Sequence, residues 1–102
     1  RELVLSRAKR ALQIGCDGIV SSGLEVSMLR EELGNKLLVI TPGIRPVDNR
    51  EDDDQKRVVS VEMAFQNGAD YIVVGRPIRD ADNRKEMAEK IQGQILAQFT
   101  HL

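Results

Sequence analysis

Three short apolar runs, each followed closely by glycine, constrain the fold of this chain more than any other feature. They are residues 18–20, 36–41 and 71–74. Continuous apolar runs of this length are typical of parallel strands buried on both faces of a sheet. The sequence therefore predicts three fully buried strands.

Segments with helical spacing of apolar residues separate these runs. The predicted helices cover residues 3–14, 25–33, 60–67 and about 83–99. Ser60 can cap the third helix, and Asn83 stands three residues before Glu86, as in a capping box at the start of the fourth. The fourth helix is predicted to bury the apolar residues Met87, Ile91, Ile95 and Phe99.

An internal repeat supports this alternation. Residues 14–20 resemble residues 67–73, at an offset of 53 residues. Each copy reads as a helix end, a glycine, an aspartate and a strand. Two strand-helix units fill the offset, which makes each unit close to the ~30 residues of a repeating βα unit.

Alternating strands and helices predict a parallel sheet covered by helices. An open doubly wound sheet and a (β/α)8 barrel both fit the pattern. Three strands cannot close a barrel, which needs eight strands and about 250 residues. As a barrel, residues 1–102 would be the C-terminal part of a single domain, its last three βα units preceded by a helix.

Charge and composition exclude several classes of protein. The chain has fifteen basic and sixteen acidic residues, and this balance argues against a nucleic-acid-binding or membrane-binding surface. No apolar run approaches the ~20 residues of a membrane span, and a cytoplasmic location is expected. Cys16 is the single cysteine, so an intramolecular disulfide and a thiolate metal cluster are excluded. Its position predicts a small buried thiol.

Glycine followed by arginine after two successive strands indicates a phosphate site. Gly75 and Arg76 follow the third run, while Gly43 and Arg45 follow the second. Glycine lets a ligand approach the backbone, and the guanidinium fork binds phosphate through two parallel hydrogen bonds. We predict that Arg45 and Arg76 lie at one rim and grip a common anion. The alternative is a pair of turns with solvated arginines.

The polar stretch between the second strand and the third helix is predicted to be a solvated loop. Calcium binding is not expected, because Asp53 stands where an EF-hand loop starting at Asp48 needs glycine. Gln55 differs from its charged neighbours, since an amide can bridge a phosphate to a polar ligand edge. His101 is the only histidine and lies in the C-terminal tail, so no serine, histidine and acid triad is expected.

Four motifs in this order resemble the C-terminal portion of the orotidine 5′-phosphate decarboxylase family. They are residues 17–25, Thr41-Pro42-Gly43-Ile44-Arg45-Pro46, Asp54-Gln55-Lys56-Arg57 and Val74-Gly75-Arg76-Pro77-Ile78. The resemblance implies a (β/α)8 barrel, usually a homodimer, that works without a cofactor or metal. It implies loss of CO2 from orotidine 5′-phosphate to give uridine 5′-phosphate (UMP) in pyrimidine biosynthesis.

The resemblance also assigns roles to particular residues. Arg45, Gln55, Gly75 and Arg76 would bind the substrate, chiefly its phosphate. The family's catalytic motif, Asp-x-Lys-x-x-Asp, does not occur in this chain. Residues 54–59 begin like it but end in Val59. No catalytic residue is therefore expected in this segment, and the segment alone is predicted to be inactive.

Two other interpretations fit the same residues. One is another phosphate-binding barrel enzyme, such as a sugar-phosphate decarboxylase, an aldolase type or a hexulose-phosphate synthase, which would use a metal. The other is a non-catalytic fragment that pairs with a partner chain.

Overall fold

The computed structural model describes residues 2–44 and 59–99. The helices are α1 (Glu2–Gln13), α2 (Val26–Leu33), α3 (Val61–Gln66), α4 (Arg76–Arg79) and α5 (Arg84–Phe99). The strands are β1 (Gly18–Val20), β2 (Leu38–Thr41) and β3 (Tyr71–Ile72). They form one parallel sheet in the order β1-β2-β3. The predicted alternation is confirmed, with β2 and β3 shorter than predicted and α4 not predicted at all.

Helices pack on one face of the sheet. The strand register places Ile19 beside Val39, and Thr41 beside Ile72, on the same face. Ile19 packs against a core of α1 and α2, while Ile72 and Val74 pack against a second core that includes α3 and α5. One-sided cover is what a barrel requires, since an open doubly wound sheet carries helices on both faces.

Within the part of the chain that the structure describes, the opposite face of the sheet is bare. Val20, Leu38, Tyr71 and Val73 are 67%, 45%, 58% and 50% exposed. The prediction that the strands are buried on both faces is therefore wrong for this chain. Three strands cannot curl back to cover their own inner face, which in a closed barrel packs against side chains from the remaining strands.

The predicted helix caps are confirmed. The Ser60 hydroxyl accepts the Met63 N–H at 3.1 Å, and Asn83 Oδ1 accepts the Glu86 N–H at 3.0 Å. Each side chain satisfies a backbone donor that the first turn of a helix leaves unpaired.

The buried stripe of α5 is shorter than predicted. Ile91 is buried, and Met87 and Ile95 are partly buried against the same core. Phe99 is 52% exposed, so its predicted burial is wrong. It is the last residue of α5, and its ring meets the edge of Phe65 with the ring centroids 5.4 Å apart.

The repeated glycine and aspartate have a physical cause at the amino end of the sheet. Gly15 and Gly68 have φ of +95° and +113°, a left-handed backbone that favours glycine. After Gly68, the Asp70 carboxylate accepts the Val39 N–H of β2 at 2.9 Å and pairs with Arg30 of α2. Arg30 also donates to the carbonyl oxygens of Gly68 and Leu37, at 2.9 and 2.8 Å. This network joins α2 and the end of α3 to the beginnings of β2 and β3.

Three further predictions can be compared with the described residues. Cys16 is exposed, so its predicted burial is wrong: it lies in the turn before β1, outside the packed elements. No helix within residues 2–44 and 59–99 is long and apolar enough to cross a membrane. Nor do those two ranges hold a group of three or more side chains able to ligate a metal.

Gly93 offers a stability test that is independent of any ligand. It lies inside α5, and a Cβ added there would meet no atom within 4 Å. Because glycine in a helix interior costs roughly 0.5–1 kcal/mol relative to alanine, Gly93→Ala is expected to raise the free energy of unfolding by about that amount. Urea denaturation of both proteins measures the difference. An unchanged or lower stability would contradict this packing of α5.

Candidate functional site

The carboxyl ends of β2 and β3 meet at one edge of the sheet. The Val73 N–H donates to the carbonyl oxygen of Thr41, the last residue of β2, at 2.9 Å, which carries the parallel pairing one residue past the end of β3. The turn at Gly43 and the turn at Gly75 therefore leave the sheet side by side.

A cleft of about 400 Å³ lies between these turns. Its lining consists of Gly43, Ile44, Val73, Gly75, Arg76, Pro77 and Arg79. Of the four predicted substrate-binding residues, Gly75 and Arg76 are thus at one site, and that site includes Ile44, the neighbour of Arg45. Arg45 and Gln55 lie outside the described residues, and their roles in binding stay predictions.

Other hollows lie away from this pair of strand ends. One of about 640 Å³ follows α1 and is lined only by residues between Glu2 and Gln13. Its walls come from a single helix, without the convergence of separate elements that ligand sites usually show. Another, of about 260 Å³, lies at the end of β1, where Ser22 Oγ donates to Glu25 Oε1 at 3.2 Å.

Gly75 is a glycine that the fold itself does not demand. Its φ is −104°, outside the left-handed region, and a Cβ there would meet no atom within 4 Å. The absence of a side chain instead keeps this wall of the cleft open to a ligand.

The short helix α4, which the sequence pattern does not predict, begins at this wall. The Gly75 carbonyl oxygen accepts the N–H groups of Ile78 and Arg79 at 3.1 and 2.9 Å. Pro77 fits because proline is tolerated in a first helical turn, where its missing N–H has no partner to lose. The turn brings Arg79 to the same cleft as Arg76. Their spacing of three residues, next to a proline, is the signal that could have revealed this.

Positive charge is concentrated beside the cleft. Arg79 Nε and Nη2 donate to the two carboxylate oxygens of Asp80 at 2.9 and 3.2 Å. The hydrogen bond from Arg79 holds the pKa of the Asp80 carboxyl below its ordinary value, and the charges of Arg76 and Arg84 lower it further. Three guanidinium groups thus act on one carboxylate.

The other wall of the cleft is anchored in the core. Ile44 is joined to Val59 by an isolated parallel bridge, and both side chains are buried. Gly23, in the turn after β1, packs so closely that an added Cβ would lie 2.6 Å from Val59 Cγ2. Ile44 and Val59 are therefore held firmly beside each other in the core.

Comparison with known proteins decides the family. A family described as orotidine 5′-phosphate decarboxylase / HUMPS matches residues 1–91. The chain belongs to this family. The expected resemblance is confirmed, and the three βα units are part of a (β/α)8 barrel.

Individual members of this decarboxylase family are similar to the chain in sequence and in structure. The chain is 67% identical over 95 residues to the orotidine 5′-phosphate decarboxylase of Methylococcus capsulatus, covering 93% of this chain and 39% of that protein. A crystal structure of the orotidine 5′-phosphate decarboxylase from Lactobacillus acidophilus superposes with a TM-score of 0.78 at 40% identity. That match covers 92% of this chain and 37% of the solved one. The Pyrococcus horikoshii OT3 enzyme of the same name gives a TM-score of 0.73 at 27% identity, with 92% and 42% covered.

This decarboxylase-family chain therefore spans about two-fifths of the length of the relatives it matches.

Proposed function

We propose that this chain supplies the phosphate-binding face of an enzyme that decarboxylates orotidine 5′-phosphate to UMP in pyrimidine biosynthesis. Residues 1–102 would then form the C-terminal part of one barrel domain. The observation that carries the proposal is the cleft in which Gly75 and Arg76 meet Gly43 and Ile44 at the carboxyl edge of the sheet. In barrels this edge holds the ligand, and the loops after the last strands commonly bind its phosphate.

The contacts in this cleft suit a phosphate dianion. The guanidinium of Arg76 can donate two parallel hydrogen bonds to phosphate oxygens, and Gly75 leaves room for them to approach the backbone. By the family resemblance we assign Arg45 and Gln55 to the same ligand. Gln55 would join the phosphate to a polar edge of the nucleotide, because its amide both donates and accepts.

Binding and chemistry are divided between two parts of such an enzyme. In the decarboxylation the bond from ring carbon C6 to the carboxylate breaks, its electron pair stays on C6, and a lysine of the family's Asp-x-Lys-x-x-Asp motif protonates that carbon. This chain lacks the motif, so we assign it no catalytic residue and no metal ligand. Its contribution is binding energy from the non-reacting phosphate, which holds the ring against the catalytic groups.

The names of the relatives favour this reaction over the alternatives. The Methylococcus capsulatus and Nitrobacter winogradskyi relatives, at 67% and 50% identity, are both called orotidine 5′-phosphate decarboxylase. A metal-dependent sugar-phosphate enzyme of the same family would lose activity on chelation. The proposed enzyme is expected to keep its activity in excess EDTA.

A chimeric protein tests the proposal directly. In this protein, the chain replaces the segment of the Methylococcus capsulatus relative that it matches at 67% identity over 95 residues. We expect the chimeric protein to release CO2 from orotidine 5′-phosphate and to form UMP. A folded chimeric protein that binds neither nucleotide would contradict the proposal.

The assembly and location of the enzyme are further parts of the proposal. The family resemblance implies a homodimer, while the balanced charge and the pattern of apolar residues favour a cytoplasmic location without nucleic-acid or membrane partners. Light scattering of the chimeric protein measures its mass, and a monomer at all concentrations used for activity would contradict the dimer.

Gly75 provides the first site prediction. Gly75→Ala is expected to weaken UMP binding by the chimeric protein about tenfold, because the added methyl group occupies space that the phosphate needs. The free energy of unfolding should change by less than about 1 kcal/mol, since nothing lies within 4 Å of the new Cβ. Isothermal titration measures the affinity, and Gly93→Ala is the matched control. Undiminished affinity in Gly75→Ala would contradict a ligand at this wall.

A further inference from the structure

We infer that Arg79 is a second phosphate-binding residue of this site, held in position by Asp80. The inference rests on the proposed function, because it concerns the phosphate of the same nucleotide. Its basis is the position of Arg79 in the cleft wall together with Gly75 and Arg76.

The geometry of α4 brings both arginines to one side. Arg76 and Arg79 are three residues apart in a single helical turn, and side chains at that spacing are neighbours on a helix surface. The Arg79 N–H donates to the Gly75 carbonyl oxygen at 2.9 Å, which fixes the backbone of Arg79 against the glycine wall. Arg76 and Arg79 therefore both line the cleft that an anion at Gly75 would enter.

The hydrogen bonds of Arg79 leave a suitable edge for that anion. A guanidinium has five N–H donors in a planar fork. Asp80 takes the edge formed by Nε and Nη2, with one bond to each carboxylate oxygen. Within the part of the chain that the structure describes, no acceptor takes the edge formed by Nη1 and Nη2, so Asp80 and a phosphate can be bound at the same time. Arginine suits such a double contact and lysine does not, because an ammonium is a point charge without a fork.

The ion pair itself contributes little to folding. The side chains of Arg79 and Asp80 are 65% and 61% exposed, and ion pairs in such exposed positions contribute little to stability because water and salt screen them. Orientation of the guanidinium is a more substantial consequence, because holding a long side chain in its bound rotamer reduces the entropy lost on binding. Asp80 is thus a positioning residue.

The experiment compares a phosphorylated and an unphosphorylated ligand. In the chimeric protein, Arg79→Ala is expected to raise the dissociation constant of UMP about tenfold and that of uridine less than twofold. Arg79→Lys should recover less than half of the lost affinity on a logarithmic scale. Lys90→Ala, which removes an exposed positive charge from α5 outside the cleft, is the control and should change neither constant.

The outcomes separate this inference from the proposed function. If Arg76→Ala weakens UMP selectively and Arg79→Ala does not, the inference on Arg79 is wrong and the phosphate site stands. Equal weakening of UMP and uridine by Arg79→Ala would overturn it too, because that points to damage to the fold. If Arg79→Lys binds UMP as tightly as the unchanged protein, a guanidinium that binds Asp80 through one edge and the phosphate through the other is excluded. If neither arginine matters, both the inference and the proposed phosphate site fail.

Discussion

Arg76→Ala in the chimeric protein is expected to lower kcat/KM for orotidine 5′-phosphate by a factor of about 100 or more. The loss comprises two charge-assisted hydrogen bonds to the phosphate, each worth about 1.5–3 kcal/mol. Uridine has no phosphate, so its dissociation constant should change less than twofold. Steady-state kinetics gives kcat/KM for orotidine 5′-phosphate. Isothermal titration gives the dissociation constants of UMP and uridine.

Removal of a single positive charge outside the cleft is the control for Arg76→Ala. Lys90 lies on the exposed side of α5 and does not line the cleft, so Lys90→Ala should leave all three values unchanged at moderate ionic strength. If the Arg76 and Lys90 variants behave alike, the effect is long-range charge and the direct contact is refuted. Equal losses for UMP and uridine would count against the phosphate role of Arg76.

The isolated 102-residue chain is expected to show no decarboxylation above the rate of the uncatalysed reaction, whereas the chimeric protein turns over. This is the largest effect of all, since enzymes accelerate reactions by at least about a millionfold. The reason is chemical: the residues that protonate C6 in this family are not in the chain. Measurement of CO2 release from both proteins under identical conditions provides the comparison.

The bare face of the sheet gives that comparison a second readout. With Val20 and Tyr71 more than half exposed, the isolated chain should bind a hydrophobic fluorescent dye, and the chimeric protein should not. Turnover by the isolated chain, after purification from a host lacking its own decarboxylase, would refute the division between binding and chemistry. Equal dye binding by both proteins would refute the barrel placement of this face.

Local structure was predictable from the sequence where one residue determines it. Ser60 and Asn83 accept the N–H groups that their caps predict, and Gly15 has the left-handed backbone expected at a helix end. Such signals act over three or four residues and need no knowledge of the rest of the fold.

Burial was less predictable, because it depends on neighbours that a local pattern does not specify. The apolar strands have the composition of a doubly covered sheet, yet Leu38 and Val73 face an open side that three strands cannot cover. Phe99 has the right spacing for the core but stands at the last turn of α5. Cys16 is apolar enough for burial and is left outside by the turn before β1.

The candidate site was predictable in part. Gly75 and Arg76 could be identified because glycine and arginine after a strand have a direct chemical meaning for phosphate. Arg79 is harder to identify, since its place in the cleft depends on α4, a helix of four residues whose signal is limited to the spacing of two arginines beside a proline. The sequence pattern places Ile44 at the start of an irregular polar segment, whereas its bridge to Val59 buries it and makes it part of the cleft wall.

A crystal structure of the chimeric protein with UMP bound tests the central claim most directly. The phosphate is expected between the Gly43 and Gly75 turns, with its oxygens within hydrogen-bond distance of the Arg76 guanidinium. UMP bound with its phosphate at any other place, and this cleft filled only by solvent, would contradict the assignment.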